Sequence, residues 1–214
     1  FSSVLAAEQP DGPPQAVVTG FPFFDHGEGA GLTPELERFL ADGPAPMLFT
    51  LGSAAVLDAG SFFEESAEAA RRLGRRAILL TGHDPRNVPS RLLDGAITAA
   101  YAPYEAIFPR VAAIVHQGGI GTTAQALRAG RPMLVVPFAH DQPDNARRVT
   151  QLGVARWLPR HRYTAKRAAE QIAYLLDTPA VERRAAAVGE IVREEDGVAV
   201  ACALLEDVLA RVDV

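Results

Sequence analysis

The chain has 214 residues, of which 48% are hydrophobic and 22% charged, so it fits one large domain or a small pair with a sizeable core. Its net charge of −5 argues against nucleic acid or an anionic membrane surface as the main partner, and no apolar run reaches the ~18 residues of a transmembrane helix. The single cysteine, Cys202, excludes an internal disulfide framework, and with no visible signal peptide we expect a cytoplasmic protein.

Residues 1–31 are predicted to be a segment that leads into the domain. Pro10, Pro13 and Pro14 interrupt the first twenty residues of this segment, and one short strand is expected near Val17-Val18. The start has no initiator methionine, which suggests a fragment whose upstream part is missing. The domain itself is then expected to span residues 32–214.

The rest of the chain alternates short apolar runs with helical patterns. Thr33 and Pro34 begin a first helix, and Ser61 with Glu64 has the spacing of a capping box at the start of another. Six short apolar runs, read as strands between these helices, predict an α/β fold, a doubly wound and mostly parallel Rossmann-like sheet with flanking helices. The strands are expected at residues 47–51, 77–80, 96–100, 112–115, 133–136 and 154–158, followed by helices at 164–177, from 178 onward and at 197–212.

A glycine-rich turn follows the strand at 112–115 and leads into a helix that ends at Gly130. A glycine turn at a helix start presents unpaired N–H groups and a partial positive charge, which suits a phosphate. The alternative is an ordinary βαβ unit, because a GGxG turn alone is a weak signal.

A polar cluster follows the next strand and contains Asp141, Gln142, Asp144 and Asn145. In a parallel sheet this cluster lies at the same edge as the glycine turn, where ligands bind. Two polar loops on one edge are harder to explain by packing, so the sequence favours a binding site. No second pair of metal ligands accompanies His83-Asp84, so no metal is expected.

The stretch HQGGIGTTAQALRAGRPMLVVPFAHDQPDNA resembles the donor-binding motif of family 1 glycosyltransferases, which are GT-B enzymes that use UDP- or TDP-sugars. The similarity extends back through Tyr101-Ala102-Pro103 and Thr50-Leu51-Gly52-Ser53, and forward to the C-terminal helices. It implies that the chain is the C-terminal, donor-binding domain of such an enzyme, without the N-terminal acceptor domain and with no cofactor beyond the donor.

The resemblance also implies roles for individual residues. Tyr101 would stack on the base, although it could simply pack under its loop, and Tyr104 replaces the usual Gln. Gln125 stands where a Glu usually accepts from the ribose hydroxyls. Asp141 and Gln142 would hold the sugar hydroxyls; the alternative is an N-cap Asp141 beside an exposed Gln142.

The diphosphate is expected to lie on the glycine turn. Gln117 matches the usual phosphate-binding His better than His116 does, and His116 could instead be a half-buried, hydrogen-bonded histidine. Thr122 could be a helix N-cap rather than a phosphate ligand. The predicted diphosphate set is Gly52, Ser53, His116, Gln117, Gly118, Gly119, Gly121, Thr122 and Thr123.

The implied activity is inverting transfer of a hexose from a UDP- or TDP-sugar to the hydroxyl of a small-molecule acceptor. No nucleophile–base pair is apparent in this chain, so the base and most of the acceptor pocket are expected in the N-terminal domain. The chain alone would then bind a donor and be inactive. Two alternatives are a stand-alone nucleotide-sugar-binding subunit that pairs with an acceptor-binding chain, and a related nucleotide-sugar epimerase.

Overall fold

In the computed structural model, which describes residues 1–6, 12–25, 31–92 and 94–212, six parallel strands form one sheet in the order β3-β2-β1-β4-β5-β6. The chain builds from the centre to one edge, returns to pair β4 with β1, and then builds to the other edge. The predicted doubly wound α/β sheet is therefore confirmed. The strands are β1 Met47–Thr50, β2 Ala77–Leu80, β3 Ala96–Ala99, β4 Ala113–His116, β5 Met133–Val135 and β6 Ala155–Trp157.

Nine α-helices, counted over the described residues, connect and cover the strands. No helix in those ranges is long and apolar enough to cross a membrane. The helices are α1 Pro34–Ala41, α2 Gly52–Ala55, α3 Phe62–Arg72, α4 Tyr104–Ile107, α5 Ile120–Ala129, α6 Gln142–Gln151, α7 Ala165–Asp177, α8 Pro179–Glu194 and α9 Gly197–Val212.

Both faces of the sheet are buried, which explains why the central strands are continuous apolar runs. Leu48 and Ile114 belong to the core on one face, under α1, α5 and α8, whereas Phe49 and Val115 belong to the core on the other face, under α3 and α7. Successive residues of a strand point to opposite faces, so each strand contributes to both cores.

Two local predictions are wrong. Val17 and Val18 form no strand, because they pair with neither edge strand of the sheet, β3 or β6. Ser61 makes no capping hydrogen bond, because its φ of −86° and ψ of 8° differ from the extended conformation of a capping residue. The carboxylate of Glu64, the other half of a capping box, accepts from the backbone N–H of Ser90 at 2.6 Å. Parts of the predicted leading segment, residues 7–11 and 26–30, lie outside the described residues.

The topology leaves a crevice between β1 and β4. The connections from these neighbouring strands leave in opposite directions, and ligands of doubly wound sheets bind at such a switch point, outside the carboxyl ends of the strands. The residues that follow β1 and β4, Gly52 and Gln117, meet there.

Candidate functional site

A cavity of about 620 Å³ opens at the carboxyl ends of β1, β2 and β3, a volume suited to a small-molecule ligand. Segments far apart in the chain contribute to its wall, because the parallel strands bring their carboxyl ends to one edge. The predicted site residues that line it are Gly52, Ser53, Tyr101, Gly121, Thr122 and Gln125.

The first turn of α5 forms one wall of this cavity. Gly119 occupies the N-cap without a side-chain capping bond, and the first intrahelical bond there runs from the N–H of Thr123 to the carbonyl of Gly119. The earlier N–H groups of the turn have no intrahelical partner. Gly121 and Thr122 lie within the helix and line the cavity, so Thr122 is not an N-cap.

Gly52 allows the ends of β1 and β4 to approach each other closely. Its φ is +64°, and a Cβ atom there would lie 2.4 Å from Nε2 of Gln117 and 3.3 Å from Oγ1 of Thr122. Only glycine fits this backbone conformation and this space without a shift of its neighbours.

His116 lies beneath the turn with no exposed surface. Its Nδ1 accepts from the N–H of Gly118 at 3.0 Å, which leaves the proton of the neutral ring on Nε2, 3.4 Å from Sδ of Met133. This geometry matches the alternative in which His116 is a hydrogen-bonded structural histidine, although its ring is fully rather than half buried. Contact with a ligand would require the ring to leave this position.

The buried histidine predicts a pH effect on stability. Burial lowers the pKa of His116 to about 3, whereas the unfolded chain takes up the proton near 6.5, so the free energy of unfolding falls as the pH decreases below about 6.5. Urea unfolding at pH 7.5 and 5.5 should show a loss on the order of 1 kcal/mol. His116→Asn can still accept from Gly118 but does not titrate, so its loss should be smaller. Equal losses in the parent and in His116→Asn would show that His116 is not the source of the pH effect.

Other members of the predicted diphosphate set lie behind the cavity wall. Gln117 is 6% exposed, with its amide nitrogen at the close approach to Gly52, and its Oε1 has no hydrogen-bond partner among the residues that the structure describes. Thr123 is fully buried and packs in the interior. Gly118 and Gly119 form the turn itself and do not line the cavity.

The start of α6 joins the polar cluster to the glycine turn. The side-chain oxygen of Gln142 accepts from the N–H groups of Phe138 and Ala139 at 2.7 and 3.0 Å, so Gln142 is buried and the exposed alternative is wrong. The side chain of Asn145 donates to the carbonyl of Gly118 and to the carboxylate of Asp141. Asp141 is exposed at the N-cap position and caps nothing with its side chain.

Sequence reasoning missed several residues of the cavity. His83 and Asn87 come from the loop after β2. This loop leaves the carboxyl end of a parallel strand, where ligands bind, and that position is the sequence signal for both residues. Phe24 comes from the leading segment, where Asp25 forms a bidentate pair with Arg128 at 2.6 and 2.8 Å. No sequence signal predicts this contact.

The wall is largely apolar, with hydroxyl and backbone polar groups at the α5 end. Asp84 and Glu105 are its charged members, and within the described residues neither Lys nor Arg lines it. An anionic group would therefore be held by N–H and hydroxyl groups and by the partial charge of the α5 terminus.

The doubly wound sheet and the cavity beside its switch point define a ligand-binding domain of the Rossmann-like class. Residues 68–201 match the family model of the erythromycin biosynthesis protein CIII-like C-terminal domain. The chain belongs to this family, a C-terminal domain of GT-B glycosyltransferases, as the sequence resemblance implied.

Individual relatives agree with this assignment. The O-mycaminosyltylonolide 6-deoxyallosyltransferase of Streptomyces fradiae is 40% identical over 208 residues, which cover 97% of this chain and 48% of the relative. The structure of the glycotransferase of kitacinnamycin matches with a TM-score of 0.73 at 26% identity, over 88% of this chain and 48% of that one. The glycosyltransferase VinC, solved in complex with dTDP, shares the fold at a TM-score of 0.68 and 22% identity, over 82% and 44%. The chain spans about half the length of these proteins.

Proposed function

We propose that this domain is the donor-binding half of an inverting glycosyltransferase that moves a hexose from a UDP- or TDP-sugar to an acceptor hydroxyl. The observation that carries the proposal is one cavity with an aromatic ring, Tyr101, at the end of β3 and a glycine-rich helix start at the end of β4. The relatives support it, since one transfers a 6-deoxyallosyl group and another was solved with dTDP.

Each part of a nucleoside diphosphate has a matching surface in the cavity. Tyr101 is 55% exposed and offers a flat face on which a pyrimidine can stack. Gln125 can exchange hydrogen bonds with the ribose hydroxyls. The N–H groups of Gly121 and Thr122, with the Thr122 hydroxyl, suit the diphosphate.

The same groups would assist bond cleavage. As the acceptor oxygen attacks the anomeric carbon, the bond from that carbon to the diphosphate breaks and negative charge grows on the departing oxygen. Fixed N–H groups and the α5 terminus stabilise this charge without reorganisation. The base that takes the acceptor proton and most of the acceptor pocket are assigned to the other half of the enzyme, so this chain alone should bind a donor and transfer almost nothing.

Calorimetric titration of the chain with UDP, dTDP, UDP-glucose and dTDP-glucose tests the proposal. We expect saturable binding of one nucleotide, because the cavity and the helix start are already formed in this domain. The nucleotide that binds would also show whether the donor carries uracil or thymine. Failure of all four ligands to bind would overturn the proposed donor site in this domain.

Asp141→Ala tests the sugar contact separately. Its exposed carboxylate can accept from sugar hydroxyls, so the variant should weaken binding of the preferred nucleotide sugar while binding the free nucleotide as the parent does. Gln142→Ala is the less suitable variant, because it leaves the N–H groups of Phe138 and Ala139 without their acceptor. Unchanged affinity of Asp141→Ala for the nucleotide sugar would refute the role of Asp141.

A further inference from the structure

Asn145 joins the glycine turn to the loop that presents Asp141, and it does so through one amide nitrogen. Its Nδ2 donates to the carbonyl oxygen of Gly118 at 2.9 Å and to Oδ2 of Asp141 at 2.7 Å. Nδ2 carries two protons, so each bond uses one of them. The side chain is buried and lies one helical turn after Asp141 at the start of α6.

The two bonds of Asn145 hold different parts of the candidate site. Gly118 is fixed through both of its backbone polar groups, because its N–H donates to Nδ1 of His116 and its carbonyl accepts from Asn145. Asp141 is exposed, and an exposed side chain ordinarily samples several staggered rotamers. A hydrogen bond to an ionised carboxylate is about twice as strong as one between neutral groups, so Asn145 restricts this choice.

The backbone of the loop before Asp141 is also held in place. His140 has a φ of +57°, and within the ranges that the structure describes it is the one residue other than glycine with a positive φ. The side-chain oxygen of Gln142 accepts from the N–H groups of Phe138 and Ala139, which fixes the start of the same loop. Strained backbone of this kind persists where surrounding contacts determine it, and it concentrates at ligand sites.

We propose that Asn145 is a positioning residue that fixes the Asp141 carboxylate for the sugar hydroxyls of the donor. The inference rests on the proposed function. The bond to Asn145 uses Oδ2 of Asp141, and the carboxylate has further lone pairs that can accept from hydroxyl groups. A carboxylate that is already held in one direction binds the sugar with less loss of conformational freedom.

Two affinities separate the roles of the two bonds. Calorimetric titration measures how tightly Asn145→Ala binds the preferred nucleotide and the corresponding nucleotide sugar. The glycine turn would contact the diphosphate of both ligands, whereas Asp141 would contact only the sugar. We therefore expect the affinity for the nucleotide sugar to fall about two- to tenfold more than the affinity for the nucleotide.

A double-mutant cycle shows whether Asn145 acts through Asp141. Asp141→Ala should by itself weaken binding of the nucleotide sugar selectively. Adding Asn145→Ala to this variant should cause no further selective loss, because the carboxylate that Asn145 positions is then absent.

Ser66→Ala is the matched control for the loss of a buried polar group. Ser66 is fully buried in α3, its hydroxyl donates to the carbonyl of Phe62 at 2.6 Å, and it lies 2.8 Å from the hydroxyl of Tyr163. Because α3 and α6 cover opposite faces of the sheet, this variant should lose stability but keep both affinities. Thermal unfolding checks that each variant is folded, and Asn145→Leu, which also has no donor, replaces Asn145→Ala if the latter is not.

Two results would overturn this inference alone. Equal losses of both affinities in Asn145→Ala, or no loss in either, would show that its bond to Asp141 has no role in sugar binding. A selective loss that persists when Asp141 is already alanine would show that Asn145 acts by another route. If the parent binds no nucleotide, or if Asp141→Ala binds the nucleotide sugar as the parent does, the proposed function fails at that point and the inference fails with it.

Discussion

Replacing Gly118 by alanine is expected to lower the free energy of unfolding by about 3 kcal/mol, and the melting temperature of a domain of this size by roughly 6–12 °C. Gly118 has a φ of +89°, and a Cβ atom there would lie 2.7 Å from Cγ1 of Val135 and 3.2 Å from the carbonyl oxygen of Gln142. The backbone conformation costs about 1–2 kcal/mol and the crowding about 1–3 kcal/mol. Urea and thermal unfolding measure the sum.

Gly74→Ala separates these two costs. Gly74 has a φ of +60°, but a Cβ atom there would meet nothing within 4 Å, so its replacement should cost only about 1–2 kcal/mol. A loss at Gly118 no larger than at Gly74 would show that the turn adjusts freely to a side chain, and that the close packing of β4, β5 and α6 around it is not required.

Replacing Tyr101 by alanine is expected to weaken nucleotide binding by roughly 5- to 150-fold, because stacking of a base on an aromatic ring contributes about 1–3 kcal/mol. Tyr101 is 55% exposed, so the substitution should leave the unfolding free energy nearly unchanged. Calorimetric titration measures the affinity, and thermal unfolding monitors the stability.

Tyr101→Phe is the control for this substitution, since it keeps the ring and removes the hydroxyl. It should bind within about twofold of the parent if stacking is the main contact. Parental affinity in Tyr101→Ala would place the base elsewhere in the cavity, whereas a large loss in Tyr101→Phe would assign the effect to the hydroxyl.

The fold could be predicted from the sequence because its local signals agree with its tertiary structure. Short apolar runs separated by helical patterns predicted all six strands within one or two residues, and Gly130 ends α5 with a φ of +65° as expected of a C-cap glycine. The prediction failed at Ser61 because a capping box needs an extended backbone at Ser61 and a Glu64 carboxylate that is not bound by another donor. That donor is Ser90, which only the tertiary structure brings close.

The candidate site was predicted less completely. The glycine turn and Tyr101 are local patterns at strand ends, so their place at the cavity edge follows from the parallel sheet. Whether His116 and Thr123 face a ligand or the interior depends on side-chain direction, which spacing alone does not determine. The contribution of Phe24 depends on the pairing of Asp25 with Arg128, two residues that are far apart in sequence.

The pairing of β1 with β4 also bears on the order of folding. Neighbours within β1-β2-β3 and within β4-β5-β6 are consecutive in the chain, whereas β1 joins β4 only by closing a loop that contains β2 and β3, as the pairing of Met47 with Ala113 shows. Loop closure costs more entropy for longer loops, and long-range pairing slows folding. The two halves of the sheet can therefore form first and join last, and a chain that has not joined them has no crevice. Ligand binding would then report that folding is complete, and a ligand present during refolding would favour the joined state by mass action.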